Sequence, residues 1–88
     1  MNEAAGDGSA GTRLSALARG GRARVTGIDS ATPVPVAQRL RDLGFRADTT
    51  VSCLRRAPLG SPTIYRVGES DVCLRRSEAD HVTVEVQR

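Results

Sequence analysis

Four kinds of side chain in this sequence could do chemistry: one His, two Cys, ten carboxylates and thirteen Arg. His81 stands at the head of a C-terminal run of alternating valines. A general base works on a neighbouring nucleophile, and His81 has none in view. It reads as a surface strand residue, and the chain as non-enzymatic. Cys53 and Cys73 could offer thiolates to iron or zinc. A metal site needs three or four ligands in closed geometry, and only His81 and scattered acids could join the two thiols. No cofactor or metal ligand set is therefore expected, and direct contact with Fe2+ has no ligand cluster behind it. The Arg residues offer more. Arg55-Arg56 and Arg75-Arg76 recur at the ends of two strand-like runs, on either side of Ala57-Pro58-Leu59-Gly60-Ser61-Pro62. Together with Leu59 and Gly60 they are candidates for docking onto an acidic protein surface or anionic lipid headgroups. The competing reading is solvated strand ends, with Leu59 packed down on the core.

These residues sit on a patterned stretch, Val51 to Ala79. Val51 and Cys53 alternate with Ser52; Thr63, Tyr65 and Val67 share one parity; Val72 and Leu74 share another. That period of two predicts a three-stranded antiparallel meander with one buried face. Pro58, Gly60 and Pro62 make the first connection a turn, and Gly68-Glu69-Ser70-Asp71 reads as a hairpin loop. The parities put Cys53 in the core and Cys73 on the other face. Strands carrying the two thiols would flank a third, leaving them about 9–10 Å apart. A disulfide requires Cα atoms about 4.4–6.8 Å apart.

The remaining elements fit around the meander. Residues 1–12 contain Glu3 and Asp7, no base, and mostly small residues, which reads as a disordered tail before a domain spanning 13–88. A short helical turn at Leu14–Ala18 would lay Leu14 and Leu17 over the core. Arg22–Asp29 is a strand, with Gly27 marking a bulge that keeps Ile28 inside. Thr32–Leu43 is one amphipathic helix. Thr32 is its expected N-cap, Pro33 its first residue, and Val36, Leu40 and Leu43 its apolar stripe. Gly44 and Phe45 form a Schellman ending. Ser77–Asp80 is a single helical turn capped by Ser77, and His81–Val86 is a last strand.

Eighty-eight residues make one small domain, burying about 60–65% of its unfolded surface. Phe45 and Tyr65 are its only aromatics. The fold class is mainly β: a small SH3-like barrel of about five antiparallel strands, one amphipathic helix and a short C-terminal helical turn. The formal charge is +3, every base being Arg; thirteen Arg face eight acids beyond residue 12. An all-Arg surface suits bidentate contacts to phosphate or carboxylate. The acids are interspersed with it, which favours ordinary solvated positions. Stacking platforms for nucleic acid need aromatics, and both are placed to be buried, so nucleic acid is not an expected partner. No apolar run approaches the ~20 residues of a membrane span, and no signal region opens the chain.

Three pieces stand in order: Arg39-Leu40-x-x-Leu43-Gly44-Phe45, Ala57-Pro58-Leu59-Gly60-Ser61-Pro62, and Leu74-Arg75-x-x-Glu78-Ala79. Over Leu14 to Val86 the chain resembles the FeoA family, a small component of bacterial ferrous-iron transport. Asp48 stands where the family has Gly, a position at which Asp tolerates left-handed backbone. Ser61 replaces the family's Asp in the loop, where a hydroxyl can still make a turn bond. The resemblance implies an SH3-like adaptor that is cytoplasmic or peripheral at the inner membrane face and docks on the cytosolic part of a FeoB-type permease. Self-association is left open. The alternative is a metal-binding or metal-sensing domain like the C-terminal domains of iron-dependent repressors.

Overall fold

The computed structural model describes residues 12–58 and 61–87. In chain order the elements are β1 (Thr12–Arg13), a 3₁₀ turn (Leu14–Ala16), β2 (Arg22–Ile28), α1 (Val34–Asp42), β3 (Thr50–Arg56), β4 (Thr63–Val67), β5 (Ser70–Leu74), α2 (Arg76–Ala79) and β6 (Val82–Gln87). The strands form one antiparallel sheet in the order β1-β6-β2-β3-β4-β5. It curls around a single core, but β1 and β5 do not pair, so the barrel is not closed by hydrogen bonds. The sixth strand is β1, only two residues long and held by Thr12↔Val84 and Arg13↔Thr83. Two residues carry no alternation to read in the sequence.

The inward parity of β2 to β6 is mostly apolar, which is why these strands form where the pattern places them. Thr63, Tyr65 and Val67 are buried in β4, Ala23 and Val25 in β2, Val82 and Val84 in β6. Tyr65 and Phe45 are the largest fully buried side chains, packed with Leu14, Leu17, Leu40 and Leu74. Burial pushes the Tyr65 phenol up from its ordinary range. The β2 register shifts between Val25 and Gly27, leaving Thr26 as the extra residue of the expected bulge, and Ile28 packs against the core from its rim.

The helix ends where the sequence says and begins one residue late. At its C-terminus Phe45 N–H donates to Leu40 O and Gly44 N–H to Arg41 O, both at 3.0 Å, a complete Schellman motif with Gly44 at φ 111°. At its N-terminus Pro33, not Thr32, holds the cap position, and no side chain caps the helix. Pro33 and Pro35 carry no N–H, so a Thr32 cap would have few donors to meet. The Thr32 hydroxyl instead lies 3.1 Å from His81 Nδ1. His81 is correspondingly half-buried in the turn before β6 rather than on an open strand surface.

The last helical turn is also capped differently from expectation. Arg75 is its N-cap residue, and the Glu78 carboxylate accepts the Arg75 N–H at 2.9 Å. Ser77 lies inside the turn. A carboxylate three residues on can reach back to the cap N–H, and a Ser already within the helix cannot. Asp48 adopts φ 72° and accepts from Arg24, whose other guanidinium nitrogen donates to Glu85.

A candidate docking groove beside the 57–62 loop

One bulge decides how the first Arg pair is used. Along β3, Cys53 pairs with Tyr65, but Arg55 pairs with Ile64 and Arg56 with Thr63, so Leu54 is an extra residue. Cross-strand partners share a face. Arg56 therefore follows buried Thr63 to the inner side, and Arg55 follows Ile64 to the outer side. Strict alternation from Val51 and Cys53 would have sent Arg55 inward. The inward Arg56 guanidinium donates to the Ser15 and Leu17 carbonyls, fastening the 3₁₀ segment whose Leu14 and Leu17 cover the core. Arg55 is exposed and has no ion-pair partner among the described residues.

On the outer side a groove of about 240 Å³ is lined by Arg55, Arg56, Ala57, Pro58, Pro62, Ile64 and Cys73. Its walls are apolar because Ile64 and Cys73 face away from the core, and because two prolines close its end. Small-molecule sites run to about 300–1,000 Å³; this groove is the size for a side chain or two of a partner. Its loop is fastened at both ends. Ala57 N–H donates to Pro62 O at 3.0 Å, and Ser61 Oγ accepts the Arg76 N–H at 3.1 Å. The Ser61 bond is thus to the first residue of α2 rather than within the loop itself, and it ties Arg75 and Arg76 to the loop.

Of the sequence candidates, Arg55 and Arg56 line the groove; Arg76 does not, but its backbone N–H donates to Ser61 in the adjoining loop. Arg75 and Arg76 are both exposed. Leu59 and Gly60 lie outside the described residues. Ile64, Cys73 and Pro62 were not among the docking candidates. An outward Ile on a strand whose inward parity belongs to Thr63, Tyr65 and Val67 was the available signal for them. Other Arg residues are engaged in ion pairs: Arg13 with Asp29, Arg39 with Glu78, Arg66 with Asp71. Cys53 is buried and Cys73 exposed, both as free thiols. Among the described residues no three His, Cys, Asp or Glu side chains gather as a metal site. No helix among them is long and apolar enough to cross a membrane.

The FeoA domain family model matches residues 12–86. The chain belongs to the FeoA family. Solved structures of FeoA proteins share its fold. FeoA of Chlorobium tepidum is 36% identical with a TM-score of 0.79, over 88% of this chain and 71% of that one. Zinc-complexed FeoA of Stenotrophomonas maltophilia, described as a prokaryotic SH3 domain protein, is 33% identical with a TM-score of 0.76, over 88% and 96%. A manganese-dependent transcriptional repressor shares the fold alone, at 20% identity and a TM-score of 0.76, over 86% of this chain and 41% of that one. No match was found among curated proteins. The expected small SH3-like β fold and the FeoA resemblance are both borne out.

Proposed function

We propose that this FeoA-family chain is a non-enzymatic accessory protein of ferrous-iron transport. It docks on the cytosolic part of a FeoB-type permease through the groove beside the 57–62 loop. The family match over residues 12–86 carries this reading. The Stenotrophomonas relative, for which a role in activating ferrous iron transport has been suggested, points the same way. The groove supports a docking role: apolar walls can take an anchor side chain, while Arg55, Arg75 and Arg76 can meet carboxylates around it. Leu59 and Gly60, in the same loop, belong to the proposed surface. Binding there would act by shifting the permease between conformations. A nucleic-acid role finds no support, since both aromatics of the chain, Phe45 and Tyr65, are buried and cannot stack on bases. A metal-binding role would need ligands from outside the described residues or from a second chain.

The test is anaerobic Fe2+ uptake in cells lacking this protein, with and without a plasmid copy. Uptake should fall on deletion and return with the plasmid. Unchanged uptake would overturn the transport reading.

A further inference from the structure

Strand β5 is the outer edge of the sheet, and nothing among the described residues pairs with its free side. Val67 and Ser70 flank the two-residue turn Gly68-Glu69 and pair with each other. In such a hairpin the flanking residues exchange backbone hydrogen bonds, and bonded and non-bonded pairs then alternate along the ladder. Ser70, Val72 and Leu74 consequently aim their N–H and C=O groups at β4. Asp71 and Cys73 aim theirs outward, at the empty edge.

The geometry points to a second copy of this chain as the occupant: β5 pairs antiparallel with β5 of the copy about a two-fold axis at Val72. This register alone overlaps all five residues, Ser70 against Leu74 of the copy and the reverse. It sets Asp71 opposite Cys73 of the copy, twice, so that all the outward donors and acceptors meet one another. Val72 faces itself as a close non-bonded pair. It is half-buried against the rim of the core, so an apolar neighbour there removes surface from water. One step beyond the strand, Glu69 comes opposite Arg75 of the copy. Both are exposed, and neither has an ion-pair partner among the described residues. Shifting the axis to Asp71 would set two carboxylates against each other. Shifting it to Cys73 would cut the overlap to three residues and leave Glu69 unmatched.

The contact is one five-residue ribbon. It falls below the roughly 1,000 Å² that a stable interface needs, so the dimer is weak and reversible. The Arg66–Asp71 ion pair on the outer face persists in it.

The experiment uses the native chain with its own thiols. Sedimentation equilibrium should show mass rising with concentration from 9.3 kDa toward twice that value. Across this register the two Cys73 residues are diagonal neighbours, about 7–8 Å apart. A short bis-maleimide should therefore link them in a concentration-dependent way, while Cys53, 1% exposed, stays unmodified. Glu69→Arg should weaken the dimer about tenfold, and adding Arg75→Glu in the same chain should restore it. Amide exchange should show Asp71 and Cys73 gaining protection as concentration rises, with Val72 protected throughout. A monomer at every concentration up to millimolar overturns the proposal. So does a dimer whose strength ignores Glu69→Arg, or whose formation leaves the Asp71 and Cys73 amides exchanging freely.

Discussion

Arg55 and Arg56 are neighbours of identical chemistry, and the Leu54 bulge should give them opposite sensitivities. Arg56 is half-buried and bonds two carbonyls of the 14–17 segment; Arg55 is exposed beside the groove. A hydrogen bond from a charged group contributes about 1.5–3 kcal/mol, and partial exposure reduces that. Arg56→Ala should therefore cost about 2 kcal/mol in total, with the Ser15 and Leu17 carbonyls left to water. For a domain of this size each kcal/mol lowers Tm by about 4–8 °C, so a fall of about 8–16 °C is expected. Arg55→Ala should stay within about 0.5 kcal/mol of the parent. Arg56→Lys should fall between, because an ammonium on a shorter, more flexible stem replaces the planar Nη2 whose two N–H groups are fixed toward the Ser15 and Leu17 carbonyls. Far-UV circular dichroism during heating and in urea measures all three. Equal losses for Arg55→Ala and Arg56→Ala would refute the bulge argument, as would an Arg56→Ala protein that melts with the parent.

Three further outcomes follow from the same geometry. Gly44→Ala should destabilise by about 1–3 kcal/mol, read as a lower urea midpoint, because an L-residue at φ 111° is strained and its Cβ would sit 3.1 Å from Val67 Cγ1. A thiol reagent should modify one Cys per folded chain and two per unfolded chain, the folded-state reactivity disappearing in Cys73→Ser. The Ala31 N–H and the Arg13 guanidinium hold the Asp29 carboxyl below its ordinary value, as Arg66 does for Asp71. Their contribution is complete above the unfolded value of about 3.8 and is lost as pH falls through the lower folded value. The urea midpoint should therefore drop on acidification below about pH 4, and less steeply in Asp29→Asn.

Features written in the periods of the chain were legible. The alternation of Thr63, Tyr65 and Val67 gave a strand, the pairing of Gly44 with Phe45 gave a helix end, and the Gly at 27 gave a bulge. Features set by tertiary competition were not. Thr32 has a good cap side chain, yet Pro35 removes one of the two donors it would meet and His81 engages its hydroxyl. Ser77 is outdone as a cap by Glu78, which also pairs with Arg39. Leu54 marks the β3 bulge without a glycine, so neither the inward turn of Arg56 nor the exposed groove beyond it could be read from composition. The surface role of Arg75 and Arg76 was visible as a repeated dipeptide; their attachment to the loop through Ser61 was not, because that bond spans fifteen residues.

The most direct test of the docking account is a binding titration of the purified chain against the cytosolic part of a FeoB-type permease, alongside Leu59→Glu and Arg55→Glu. Each substitution should weaken binding by at least about tenfold while leaving Tm unchanged. Parent-like binding by both folded variants would contradict the claim that the 57–62 loop and its groove form the docking surface.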